Sequence, residues 1–161
     1  MAEWIEYTGT LSLTLSEMGK AVDVQIGLLD AAKKRYSESA LAEYLDSLGL
    51  DYSFLLQLFA KTSWGKYAGP AGIAYTTFKV VDAIVSDYTL DKVLEAGLTD
   101  LNANLTWFSQ HSSTYQRIEF EVAFLEYTVN TPEGLSTIRY IQQATTPQRL
   151  QYHDGSWVSS S

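Results

Sequence analysis

The stretch that decides the fold is Arg117-Ile118-Glu119-Phe120-Glu121-Val122-Ala123-Phe124-Leu125-Glu126-Tyr127-Thr128-Val129. Its first half alternates strictly, with Ile118, Phe120, Val122 and Phe124 set against Arg117, Glu119, Glu121 and Ala123. Successive side chains of a strand point to opposite faces, so a period of two marks a half-buried strand. At Phe124-Leu125 two apolar residues stand together, and the phase flips to Leu125, Tyr127 and Val129. A one-residue change of face is what a β-bulge produces. Beyond it, Asn130-Thr131-Pro132-Glu133-Gly134 is a turn cluster, and Leu135 to Ile141 returns as a strand. Pro147 interrupts the path, and Tyr152-His153-Asp154-Gly155-Ser156-Trp157 places Asp-Gly between short flanks. That pair predicts a type I′ hairpin with Tyr152 opposite Trp157.

The same period appears at the other end of the chain. Tyr7, Gly9, Leu11, Leu13 and Leu15 alternate with Thr8, Thr10, Ser12 and Thr14, giving a strand with a hydroxyl-bearing face. Ser16 to Lys20 is polar and contains Gly19, and alternation resumes with Val22, Val24, Ile26 and Leu28 against Asp23, Gln25 and Gly27. Two alternating runs about a short Gly-containing loop predict a β-hairpin. A helix through Ala21–Leu29 also places Val22, Ile26 and Leu29 together. The strand is preferred because the polar residues fall on odd positions.

Between the two ends the period changes to 3.6. Leu41, Tyr44, Leu45 and Leu48 line a short helix with Ser39 as N-cap and Gly49 as its stop. Asp51 is placed to cap a second helix bearing Phe54, Leu55, Leu58 and Phe59. Trp64 to Gly72, with three glycines and a proline, reads as a loop or tight connection. A third helix carries Ile73, Thr77, Val80, Val81 and Ile84 inward with Lys79 and Asp82 outward. A fourth, capped by Thr89, has the stripe Leu90, Val93, Leu94, Leu98, Leu101, Leu105 and Phe108, with Asp91 and Glu95 near its positive end. The expectation is a single α+β domain over residues 1–161. Its strands lie at about 4–29 and 116–158, its helices at about 39–109. An N-terminal β-hairpin and a C-terminal antiparallel meander form one sheet, covered by a central block of about four helices.

Composition narrows the function. Eleven Lys+Arg against nineteen Asp+Glu give a net charge of −8, the wrong sign for a protein that coats nucleic acid. The lone basic cluster, Lys33-Lys34-Arg35, is a solvated face. With no cysteine there is no disulfide, thiolate metal site or thiol nucleophile. The first residues carry Glu3 and Glu6 and no basic residue, unlike a secretory signal, and Ala68 to Val85 is broken by Pro70, Lys79 and Asp82. The reading is cytoplasmic, with neither a signal peptide nor a transmembrane segment.

Candidate chemical groups are few. His111 sits in a polar connection after the fourth helix, where a cation suits the negative helix end. His153 is at the corner of the Asp-Gly turn. Glu119 and Glu121 share one side of a strand, the arrangement a hard cation or an acid/base pair would need, and equally that of an ordinary solvent face. No Gly-x-Ser-x-Gly elbow, Walker-type loop or His-x-x-x-His is present. No catalytic residue, metal ligand or cofactor is assigned.

The leading expectation is a non-catalytic protein–protein interaction or assembly domain: a regulator, an inhibitor or immunity-type protein, or a structural subunit. Its surface is acidic and aromatic-bearing, formed by Trp4, Glu38, Glu43, Asp46, Trp64 and Tyr67. The partner is another protein, a basic one by charge, or a second copy of the chain. One alternative is a membrane-active or secreted effector using the Gly/Pro-rich amphipathic segment 64–85. The other is a small-ligand or hydrolytic domain whose cavity holds His111 or Glu119 and Glu121.

Overall fold

The computed structural model describes residues 3–51, 53–54, 58–59, 69–83, 90–131 and 134–160. Strand β1 (Glu3–Thr14) leads into helix α1 (Leu15–Ala32), and α2 (Glu38–Ser47), α3 (Gly69–Ala83) and α4 (Leu90–His111) follow. The chain then runs through β2 (Tyr115–Thr131), β3 (Gly134–Ala144), β4 (Arg149–Tyr152) and β5 (Trp157–Ser159). This is an α+β fold with one five-stranded antiparallel sheet. The long β2 is its centre. On one side β1 pairs with it over twelve residues without a register break, from Glu3↔Thr128 to Thr14↔Arg117. On the other side β3 takes the C-terminal half and β4 the N-terminal half, and β5 extends the sheet beyond β4.

The core follows the phase flip. Ile118, Phe120 and Val122 are buried in the first half of β2, and Leu125, Tyr127 and Val129 in the second, with Phe124 and Leu125 both inside at the switch. The bulge is present, but its extra residue sits on the neighbouring strand. Phe124 pairs with Ile141 and Ala123 with Gln143, so Gln142 of β3 has no counterpart on β2.

The second strand of the expected N-terminal hairpin is a helix. Thr14 and Glu17 form a capping box: the Thr14 hydroxyl accepts from Glu17 N (3.2 Å) and the Glu17 carboxylate accepts from Thr14 N (2.9 Å). This reciprocal pair satisfies two amides that a helix start would otherwise leave open, and it ends β1 at Thr14. From there Met18, Ala21, Gln25 and Leu28 fall on one stripe and are buried, while Asp23 is exposed. The alternation over Val22–Leu28 misleads because Gln25, polar by type, points inward.

Three further boundaries move. Ser37, not Ser39, caps α2, accepting from Ala40 N (3.2 Å), while Gly49 ends it at φ +63° as expected. α3 begins within the segment read as a loop, with Pro70 in its first turn, where a missing N–H costs nothing. The terminal hairpin is not type I′, which needs positive φ at both central residues. Only Gly155 has it (+92°), and its N–H donates to Tyr152 O (3.0 Å), a type I turn followed by a glycine bulge. Trp157 therefore pairs with Gln151 rather than Tyr152. The helix expected from Asp51 lies largely outside the described residues, as does Thr89; Phe54, Leu58 and Phe59 are buried.

The helices are anchored to the sheet by buried polar contacts. α3 bonds β3 through Thr76–Ser136 (2.7 Å) and Thr77–Tyr140 (3.0 Å), hydroxyl to hydroxyl. α4 meets β3 along Gly97, Asp100 and Asn104, one helical stripe. Asp100 accepts from Ala144 N (2.9 Å), and the Asn104 amide donates to Thr145 O (2.9 Å). At Gly97 a Cβ would stand 1.8 Å from Ile141 O. The fully buried Gln25 of α1 closes the junction, its amide donating to Ile141 O (2.8 Å) and Leu94 O (3.2 Å).

Candidate functional site

Of the groups singled out for chemistry, His111, His153 and Glu119 are engaged structurally. His111 Nδ1 lies 2.7 Å from the carbonyl of Trp107, one turn back, and its ring stacks on the indole at 4.1 Å. His153 Nε2 lies 2.8 Å from Ser112 O, tying the terminal hairpin to the connection between α4 and β2. Its neighbour Asp154 turns instead to Ser156, accepting from N (2.8 Å) and Oγ (2.6 Å), which holds its carboxyl below the ordinary value. Glu119 pairs with Arg149 (3.5 Å), whose guanidinium lies 4.6 Å over the Trp157 ring. Glu121 is exposed and, with Asp100, Thr8 and Gln143, lines a shallow cleft of about 190 Å³. Among the described residues no three His, Asp or Glu side chains are grouped to hold a metal ion.

One polar cluster was not legible in advance. On the sheet, Tyr7 OH donates to Glu126 Oε1 (2.9 Å) and accepts from Arg139 Nη1 (3.3 Å), while the Arg139 guanidinium lies 4.2 Å over the Phe124 ring. Glu126 is only 6% exposed. The cluster joins β1, β2 and β3: Glu126 pairs with Arg139, and Tyr7, opposite Phe124, reaches both diagonally. Tyr7 OH bridges the carboxylate and the guanidinium, and the contact ties three strands together.

The interaction residues fall in separate places. Glu38, Glu43 and Asp46 are exposed on α2. Trp4 lies near the start of β1, and both it and the next residue, Ile5, are 55% exposed. Trp64 and Tyr67 lie outside the described residues. Of the amphipathic segment 64–85, the described part is α3, docked on β3, and no described helix is long and apolar enough to cross a membrane.

What stands out around Trp4 is the backbone. Glu119 and Glu121 spend their main-chain groups on the β4 side: Glu119 O accepts from Gln148 N (2.7 Å) and Glu121 O from Thr145 N (2.8 Å). Main-chain groups alternate sides along a strand. The even residues of β2 therefore bond β1 at its odd residues, and Trp4, Glu6, Thr8, Thr10, Ser12 and Thr14 turn N–H and C=O outward. Two of these are taken, because Arg117 Nη1 donates to Ser12 O (2.9 Å) and Thr14 N to Glu17. From Trp4 to Thr10, no described residue bonds the outward groups. This run has no lysine, no proline and no bulge against β2, and Glu6 is its one charged residue.

No known family, curated protein or solved structure matches the chain.

Proposed function

We propose that this chain is a non-catalytic protein–protein interaction or assembly domain that engages its partner by strand addition along β1. The observation that carries the reading is the open main chain from Trp4 to Thr10, beside two large apolar side chains that are more than half exposed. An edge of this kind offers affinity through main-chain hydrogen bonds and specificity through the alternating side chains. Its two large apolar residues add the desolvated contact area on which such interfaces rest. Glu38, Glu43 and Asp46 stay in the proposal as a second, electrostatic surface that governs the rate of encounter more than affinity.

The test is crosslinking in native lysate followed by mass spectrometry, with the wild-type chain and a Thr8→Pro variant side by side. Proline at position 8 removes an outward N–H that bonds no described group and is tolerated on an edge strand. Crosslinks from the β1 neighbourhood that vanish in the variant support the proposal. An identical crosslink set for both chains overturns it.

A further inference from the structure

We infer that the strand added at this edge is β1 of a second copy, paired antiparallel about a two-fold axis at Tyr7. The inference rests on the reading of β1 as a docking edge and adds the identity of the partner. Among the described residues nothing bonds the outward main-chain groups at positions 4, 6, 8 and 10, whereas beyond them Arg117 takes Ser12 O and Glu17 takes Thr14 N. With Tyr7 as the centre, the described positions 4, 6, 8 and 10 match themselves when the strand is reversed. Trp4 then faces Thr10 of the second copy and Glu6 faces Thr8, and these pairs exchange about eight main-chain hydrogen bonds.

The side chains agree with this register. On one face Trp4 meets a threonine, an aromatic–β-branched pair of the kind that stabilises antiparallel strands. On the other, the exposed Ile5 lands opposite Gly9, where the ring of Phe124 lies 2.9 Å from the Cβ position and offers an aromatic surface. Charge selects the direction. A parallel, in-register pairing would set Glu6 beside its own copy, whereas the antiparallel one puts threonine there. An isologous contact of this form closes on itself as a dimer and does not propagate.

Salt separates a second copy from a basic partner. Two chains of charge −8 repel, so self-pairing tightens as salt screens them, whereas capture of a basic strand weakens. The experiment uses the purified full chain: light scattering at roughly 1–100 µM and at two salt concentrations, with a nitroxide on Thr8→Cys, the chain having no other cysteine. The pairing sets the two labels diagonally across the strands, with Cα atoms about 7–8 Å apart. A dimer near twice 18.0 kDa, strengthened by salt and with a dipolar-broadened label, supports the inference. So does a rise of about tenfold or more in dissociation constant for the Trp4→Lys, Ile5→Lys double variant with unchanged circular dichroism.

A monomer across the whole range overturns self-pairing. It leaves the docking edge standing if the Thr8→Pro crosslinking difference persists. A dimer with an unbroadened label overturns this geometry outright.

Discussion

Replacing Gly97 by alanine tests whether α1, α4 and β3 meet as described. The added methyl would stand 1.8 Å from Ile141 O, 2.7 Å from the carbonyl carbon behind it and 2.8 Å from Gln25 Nε2. Ordinary contact begins near 3.4 Å, so helix and strand must part by about 1.6 Å at this point. A carbonyl in a paired strand cannot swing aside as a side chain could. The strain of overpacking costs about 1–3 kcal/mol. Parting the elements also stretches the Gln25 bond to Ile141 O and leaves a buried amide short of a partner, about 1–3 kcal/mol more. Against this, alanine in a helix interior gains about 1 kcal/mol over glycine. The net expectation is a loss of about 3 kcal/mol, or a melting temperature lower by about 6–12 °C in a chain of this size. Gly19 is the control, because it also lies inside a helix but has nothing within 4 Å of its Cβ position. Gly19→Ala should stabilise by about 0.5–1 kcal/mol. Urea unfolding of both variants decides the matter. A Gly97→Ala midpoint at or above wild type would refute the close approach of α4 to β3, whatever Gly19→Ala does.

Three other outcomes are expected. Thr14→Ala removes one half of the capping box and should cost about 1 kcal/mol in denaturant unfolding, with earlier amide exchange in the first turn of α1; no change would mean the box does not set that boundary. Asp154 is held below its ordinary value by hydrogen bonds from Ser156, so its contribution is present near neutrality and is lost as pH falls through its lowered value. Ser156→Ala should raise the Asp154 midpoint in a carboxyl NMR titration, and an unmoved midpoint would remove the side-chain bond from the account. Burial pushes the Tyr140 hydroxyl above 10.0, so it favours the folded state below that pH and the benefit disappears as pH climbs beyond it. Ultraviolet titration should leave this phenol un-ionised until the protein unfolds; early ionisation would contradict its burial.

Local pattern reveals the sheet well where one face is wet and the other dry. Ile118 to Val129 carries its phase change openly because each half of β2 buries a different set of side chains. The pattern cannot say which strand holds the extra residue, since Gln142 belongs to a neighbour whose own alternation is short. α1 escapes the local pattern because alternation and helical spacing overlap over seven residues, and Gln25, polar by type, is fully buried. Its amide reaches two carbonyls, of Leu94 and Ile141, that are 69 and 116 residues away, and no local reading supplies those partners. The signal that was available is Thr14-x-x-Glu17, and it outweighs the alternation because it names atoms rather than a periodicity. The terminal hairpin shows the same limit, because Asp-Gly fits both turn types and only the φ of Asp154 separates them.

The candidate site was half legible for a different reason. Trp4 can be noticed in the sequence, but an edge is a relation between strands, and nothing in Glu3–Thr14 states that its second side has no neighbour among the described residues. What the segment does state is the absence of lysine and proline over twelve residues. Sheet proteins ordinarily spend such residues on open edges to prevent pairing, at some cost in strand stability. At the far end of β1 the chain has the equivalent protection, with Arg117 on Ser12 O and Glu17 on Thr14 N. Main-chain groups that are bonded at positions 12 and 14, and bonded by no described residue at 4, 6, 8 and 10, divide one strand into a covered part and an open part. General avoidance of aggregation would protect both, so the division itself argues that the open part is meant to be occupied.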